Sequence, residues 1–132
     1  MANAALREII KADFARAITK RTGVEHVFEY RFAADAGRKW RSDIAFPSVK
    51  VAIEIDGGLW TYGRHNRASS VLADMEKGNA YVSRGWLVWH TPWEWIERGK
   101  KDRSAELLEE ISAAITARVN EGVKNSGTTD FV

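Results

Sequence analysis

The stretch RKWRSDIAFPSVKVAIEIDGG, residues 38–58, decides the fold because it predicts two strands joined by a tight turn. Two apolar runs rich in strand-favouring residues flank the short PSVK connection, which is the pattern of a β-hairpin. Three carboxylates nevertheless lie inside these strands, at Asp43, Glu54 and Asp56. Asp is depleted in strands, and Glu to a lesser degree, so core packing alone does not explain this hairpin.

The register of the hairpin predicts that two of these carboxylates face each other. Side chains alternate across a strand, so the aliphatic residues at 51, 53 and 55 form a core face, and Glu54 and Asp56 share the opposite face. A loop of two or four residues sets Asp43 directly across from Glu54, with Cβ atoms about 4.5–5.5 Å apart. The same register sets Arg41 across from Asp56, which explains Asp56 as half of a cross-strand ion pair.

The Asp43–Glu54 pair needs a compensating positive charge. Two carboxylates about 4 Å apart repel each other by on the order of several kcal/mol before screening. A shared proton or a basic neighbour such as Lys50 or Arg41 would offset this repulsion, and so would a divalent cation. Mg²⁺ is typically held by one or two carboxylates together with waters and phosphate oxygens. The chain has no cysteine, and nothing in it offers the paired histidines that zinc prefers.

The remaining chain predicts an α/β fold. Hydrophobic periodicity and glycine stop signals indicate helices over about residues 3–21 and 68–84 and strands over about 26–32 and 86–91. Pro92 indicates a helical start, and a last amphipathic helix follows it. The resulting α-β-β-β-α-β core predicts a central, mixed four-stranded sheet flanked by helices, with an extra C-terminal helix. We expect one domain over residues 1–122 and a flexible tail over 123–132.

Composition restricts the class of protein further. The chain has 132 residues and a net charge of +2, and its N-terminal stretch is interrupted by charges, which predicts neither a signal peptide nor a membrane span. A cytoplasmic protein is therefore expected. A nearly neutral total can conceal a basic face, because the basic residues crowd around the hairpin. They are Arg38, Lys39, Arg41, Lys50, Arg64 and Arg67.

The order of motifs resembles a known family of nucleases. The segment SDIAFPSVKVAIEIDGGLW, followed by GRHNR and DMEKGNAYVSRGWLVWHT, resembles the PD-(D/E)XK nucleases, and in particular their very-short-patch-repair-like branch, which includes many small phage and prophage proteins. The resemblance covers about residues 28–92. It implies a metal-dependent DNA endonuclease that hydrolyses phosphodiester bonds with Mg²⁺, for which Mn²⁺ would substitute. In phage, such an enzyme would act in the cytoplasm of the bacterial host.

The resemblance also implies roles for particular residues. Asp43 and Glu54 would bind the metal, and the backbone carbonyl of Ile55 could add a ligand. The sequence departs from the family pattern at Asp56, which stands where these enzymes usually carry a lysine that steadies the attacking water or the transition state. Asp56 could instead join the metal shell or act as a base.

A cation from elsewhere would then have to replace the missing lysine. Lys77 is one candidate, because it lies three residues after Asp74 on the following helix, and His65 and Arg67 are others. Relatives also carry an acid in the first helix, for which Glu8 is favoured over Asp13.

The glycine-bearing loop after the third strand supplies candidate DNA contacts. Trp60 and Tyr62 could wedge or stack against bases, or they could simply anchor the loop to the sheet. Arg64 and Arg67, together with Arg41, are the candidate phosphate contacts.

Three functions remain open at this point. The first is an endonuclease acting on duplex or branched DNA, with nicking or structure-selective cleavage and a homodimer as options. The second is a non-catalytic DNA-binding module on a degenerate nuclease fold, which the change to Asp56 favours. The third is a structural protein whose C-terminal helix packs on a partner.

Overall fold

The computed structural model describes the backbone of residues 3–56 and 67–129, and the side chains of residues 3–56 and 69–122. The helices and strands follow one another as α1 (Ala4–Thr22), β1 (Val27–Tyr30), β2 (Ser42–Phe46), β3 (Val51–Ile55), α2 (Arg67–Ser83), β4 (Leu87–Thr91), α3 (Trp93–Ile96) and α4 (Ser104–Thr129). A short 3-10 helix, Ala34–Ala36, lies between β1 and β2. The predicted α/β order is confirmed.

The four strands form one mixed sheet in the order β1-β2-β3-β4. The first three strands are antiparallel neighbours, and β4 pairs with β3 in parallel. A parallel pair needs a crossover connection, which α2 provides. The carboxylate-bearing hairpin therefore contributes both central strands.

The hairpin has the predicted register. Phe46 pairs with Val51 and Ile44 with Ile53, so the next position along the same ladder sets Asp43 level with Glu54. The connection is the longer of the two lengths that give this register, residues 47–50. It ends at Lys50, whose φ of 55° lies in the left-handed region.

The two faces of the sheet carry different cores. One face packs aliphatic residues of β2 and β3, including Ile44 and Ile53, against α1, α3 and α4. The other face presents Ala45 and Ala52, which pack with the aromatic residues Phe32, Tyr81 and Trp86. The small alanines leave room there for the aromatic rings, and this second face carries Glu54.

The end of the chain differs from the prediction. The backbone of α4 continues to Thr129, so residues 123–129 are helical where a flexible tail was expected. Gly122 does not stop the helix because its φ lies outside the left-handed region that a C-terminal glycine cap requires. Residues 130–132 lie outside the described residues.

No helix of the described ranges combines the length and the apolar composition needed to cross a bilayer.

Truncating the central strand tests the assignment of the core. Ile53 is 0% exposed, so Ile53→Ala should lower the free energy of unfolding by about 2–5 kcal/mol. Leu72, which is 60% exposed on α2, provides a matched control, and Leu72→Ala should change it by less than about 0.5 kcal/mol. Urea unfolding followed by circular dichroism measures both. Similar losses in the two variants would contradict this core.

Candidate functional site

Glu54 lies at the centre of the candidate site. Glu54 is only 8% exposed, and both of its carboxylate oxygens accept hydrogen bonds. Lys77 Nζ donates to Oε1 at 2.7 Å, and Tyr81 Oη donates to Oε2 at 2.6 Å. A buried carboxylate is costly unless it is paired and hydrogen-bonded, and these two contacts meet that requirement.

The fold explains why these partners meet. Lys77 and Tyr81 are four residues apart on α2 and so lie on one helix face, which packs over the Glu54 face of the sheet. Lys77 Nζ also donates to the carbonyl of Arg41 at 2.8 Å. Ser42 Oγ lies 2.6 Å from Tyr81 Oη, and it must be the donor because the only phenolic proton goes to Glu54. These contacts tie α2 to both central strands.

Asp43 caps the end of β3. Its Oδ2 accepts a hydrogen bond from the backbone N–H of Ile55 at 2.6 Å. Successive backbone N–H groups along a strand point to opposite sides. The N–H of Asp56 donates to Thr91 in β4, so the N–H of Ile55 faces β2. The Asp43 side chain thus takes the place of a ladder bond. Burial, together with the neighbouring carboxylates of Glu54 and Glu29, raises the pKa of Asp43 to about 6.

The expected carboxylate pair is present in the register, but the two groups have different partners. Strict alternation would place Ser42 on the face of Ile44, yet Ser42 contacts Tyr81 on the other face. Glu29, which is level with Asp43 on the β1 side, has a φ of 51°. This left-handed residue interrupts the regular alternation at the level of Asp43. A strand pattern alone does not predict it.

One register level of the sheet carries titratable residues on all four strands. Glu29, Asp43, Glu54 and His90 follow one another across β1 to β4, and we call them the polar row. Lys11 of α1 approaches the row from one face, with Nζ 3.6 Å from Glu29 Oε2. Lys77 of α2 approaches from the other face.

Lys11 is a site residue that the sequence interpretation missed. It is 7% exposed and its ammonium lies 5.4 Å from the ring centroid of Phe28. A signal was available, because Lys11 is four residues before Ala15 and seven before Ile18, both buried on the core face of α1. A lysine at a core position of an amphipathic helix indicates a buried partner.

Asp56 does not form the expected ion pair with Arg41. Its Oδ2 lies 3.1 Å from Nδ1 of His90 instead, because β4 runs beside β3 on the side away from β2. This contact with Asp56 is the main reason that the pKa of His90 is raised. The sequence interpretation assigned His90 a structural role and left it out of the site.

The remaining predicted site residues are more scattered. The Glu8 side chain is 73% exposed, and its Oε2 lies 4.0 Å from Lys11 Nζ, so it pairs with Lys11 rather than joining Glu54. Arg41 is exposed and contacts the site through its carbonyl. Arg67 begins α2, but its side chain lies outside the described residues, as do Trp60, Tyr62, Arg64 and His65 entirely.

A cleft of about 540 Å³ opens beside Glu54, between α2 and the strands β3 and β4. This volume is within the usual range for a small-molecule or substrate site. The polar side chains along it are Glu54, Asp56, Asp74, Lys77, Asn79, Tyr81 and His90. The site can therefore present ammonium, imidazole and carboxylate groups to one ligand.

Comparison with known proteins adds no family to these observations. No protein-family model, no curated protein and no solved structure matches the chain. The function must therefore be argued from the site geometry and from the motifs in the sequence.

A double-mutant cycle tests whether Lys77 and Glu54 depend on each other. Removing either partner leaves the other group poorly compensated, so Lys77→Met and Glu54→Gln should each destabilise the fold, and the double variant should lose less than their sum. We expect a coupling of about 1–3 kcal/mol from urea unfolding at pH 7. The exposed pair Arg38–Glu76, 3.1 Å apart, is the control and should give less than about 1 kcal/mol. Equal coupling in both pairs would contradict a special role for Glu54.

The raised pKa of Asp43 predicts a pH dependence of stability. A folded-state pKa of about 6, above the ordinary value of 3.8, means that the folded protein holds this proton more tightly than the unfolded chain. The stabilisation is present below about pH 4 and is lost as pH rises through about 6. Unfolding of wild type and Asp43→Asn in EDTA should show the wild type losing stability relative to the variant over this range. A relative gain with rising pH would contradict the burial of Asp43.

Proposed function

We propose that this protein is a Mg²⁺-dependent endonuclease that hydrolyses phosphodiester bonds of DNA in the bacterial cytoplasm. The observation that supports this most strongly is the position of Lys77, whose Nζ lies 2.7 Å from Glu54 Oε1. Asp43 lies at the neighbouring position of the ladder. Glu54 and Lys77 line the cleft, and with Asp43 beside Glu54 in the sheet they supply the two carboxylates and the ammonium that metal-assisted phosphoryl chemistry uses.

The donor atoms suit Mg²⁺ as the cofactor. Among the described residues, no group of three or more His, Asp or Glu side chains is arranged to hold a metal ion. Asp43 and Glu54 would supply two carboxylates, and Ile55 would supply a backbone carbonyl. With so few protein ligands, the bound cation would keep several water or phosphate ligands, as Mg²⁺ does. Each carboxylate oxygen has two lone pairs, so the hydrogen bonds to Lys77, Tyr81 and Ile55 leave acceptor capacity.

When bound, the cation would activate a water and offset charge on the phosphate. The protein's own residues contribute orientation and further positive charge. Tyr81 and Lys77 fix the Glu54 carboxylate from two sides, which holds it in one orientation. An ammonium has three donors, and Lys77 uses two of them, on Glu54 and on the Arg41 carbonyl. The third is left for a phosphate oxygen, where it would stabilise charge in the transition state.

Lys77 would thus replace the lysine that the third strand lacks. It reaches Glu54 from α2, whereas the strand position is taken by Asp56, which pairs with His90. Catalytic roles for Asp56, His65 and Glu8 remain predictions of the sequence pattern. The contact of Asp56 with His90 favours a role in orienting that imidazole at the edge of the cleft.

A DNA-binding module without catalysis is the second candidate. The observation that favours it is the closed network around Glu54, in which both oxygens already have protein partners. Such a network could be purely structural. The exposed Asp74 on the cleft wall argues against a site shaped only to hold a phosphate backbone.

Cleavage of labelled DNA tests the proposal. Purified protein is titrated with Mg²⁺ and Mn²⁺ in the presence of duplex and branched substrates. Glu54→Gln should lower the cleavage rate at least about a hundredfold while DNA binding persists, because it removes a metal ligand and keeps the side-chain shape. Lys77→Gln should lower the rate to a similar extent.

The control is Glu106→Gln, which neutralises an exposed carboxylate on α4 outside the cleft lining and should leave the rate within about twofold of wild type. Cleavage that is equal in wild type and Glu54→Gln would point to a contaminating nuclease. Metal-independent cleavage, or DNA binding without any cleavage, would overturn the enzymatic proposal and favour the binding module.

A further inference from the structure

We propose that residues 31–41, the β1–β2 connection, hold the sugar-phosphate backbone of DNA beside the cleft. The contacts would be made by Arg31, Lys39 and Arg41, which we call the basic ridge. This inference rests on the DNA-binding part of the proposed function and names the surface that performs it. It does not depend on catalysis.

The ridge adjoins the candidate site through direct contacts with α2. Arg38 Nη2 lies 3.1 Å from Glu76 Oε2, and the carbonyl of Arg41 accepts from Lys77 Nζ at 2.8 Å. The connection thus runs alongside the helix turn that carries Lys77. A strand of DNA lying on the ridge would place a phosphate close to Lys77 and Glu54.

Charge balance leaves the ridge with a surplus of positive charge. Three acids next to this surface are paired with cations other than the ridge residues: Asp35 with Arg84 at 3.1 Å, Glu76 with Arg38, and Glu54 with Lys77. The three ridge residues are exposed and have no carboxylate partner among the described residues. Three uncompensated cations on one short connection attract a polyanion, even though the net charge of the chain is only +2.

Aromatic stacking holds the connection in place. The Arg38 guanidinium carbon lies 3.8 Å from the ring centroid of Trp40, and Trp40 stacks with Phe32 at 6.2 Å. Phe32 in turn stacks on Tyr81 at 3.7 Å, and Tyr81 donates to Glu54. Arg31 Nη2 donates to the carbonyl of Arg38 at 3.2 Å. The connection that carries the ridge is therefore anchored to the same residues that hold the site. Its backbone would not have to become ordered when DNA binds, which saves entropy.

The chemistry of the ridge favours phosphates over other ligands. Guanidinium groups match the geometry of phosphate oxygens, and lysine adds a point charge. Contacts to phosphates carry no direct sequence information, so binding through the ridge to the DNA backbone should be independent of sequence. Its signature is a strong dependence on salt, since each neutralised phosphate releases counterions.

The experiment compares two triple variants with the same change in net charge. The ridge variant is Arg31→Gln/Lys39→Gln/Arg41→Gln. The control is Lys20→Gln/Arg21→Gln/Lys100→Gln, which neutralises three exposed cations that also have no carboxylate partner among the described residues. Fluorescence anisotropy with a labelled 20-base-pair duplex in EDTA gives the affinity at several NaCl concentrations.

The ridge variant should bind more weakly, and the slope of log K against log [NaCl] should become shallower by about 2–3, since each phosphate contact contributes about 0.9. The control should keep the wild-type slope. Equal losses in both triple variants would show that only net charge matters and would overturn the ridge, as would an unchanged slope in the ridge variant. If the ridge triple does not fold, Lys39→Glu is compared with Lys100→Glu for the same readout.

The outcomes separate this inference from the enzymatic proposal. Binding that depends on the ridge, without cleavage in Mg²⁺ or Mn²⁺, would support the ridge and contradict the nuclease. Cleavage that persists with unchanged affinity in the ridge variant would support the nuclease and overturn the ridge. A wild type that does not bind DNA would overturn both.

Discussion

The structure depends on the charge balance of the polar row, in which three carboxylates lie side by side on adjacent strands. Uncompensated, Glu29, Asp43 and Glu54 would repel one another inside a sheet. Lys11 and Lys77 offset this repulsion from opposite faces, at 3.6 Å from Glu29 and 2.7 Å from Glu54. The placement of α1 and α2 over the two faces is thus linked to the electrostatics of the sheet as well as to hydrophobic burial.

The balance is incomplete at the middle of the row. Each outer carboxylate has its own lysine, whereas the strongest contact of Asp43 is the neutral N–H of Ile55. Burial and the two neighbouring carboxylates therefore raise the pKa of Asp43 to about 6. Such a group gains from any additional positive charge that reaches it. An uncharged residue at this position would avoid the repulsion, and buried groups with a shifted pKa are often found at functional sites.

The sequence predicts the frame of the site but not its connections. Loop length fixes the register of the hairpin, and register fixes that Asp43 is level with Glu54. The partners of these groups depend on features that local patterns do not encode. The strand pattern predicts neither the left-handed conformation of Glu29 nor the contact of Ser42 with Tyr81, and it did not place His90 beside Asp56. Lys11, by contrast, could have been identified from the sequence. It is a charged residue on the apolar face of a helix, and such a position predicts a nearby partner for its charge.

The position of Lys77 bears on the proposed nuclease chemistry, in which an ammonium from α2 would replace the lysine that the resemblance predicts on β3. Catalysis by an ammonium depends on where Nζ lies relative to the carboxylates, not on which element carries it. A side chain from α2 reaches Glu54 as closely as one from the same strand face could, and it is held there by the Arg41 carbonyl. The strand position is then free to hold Asp56, which engages His90. Glu54 and Lys77 therefore bring charges of both signs to the cleft, although Asp56 stands where the nuclease resemblance predicts a lysine.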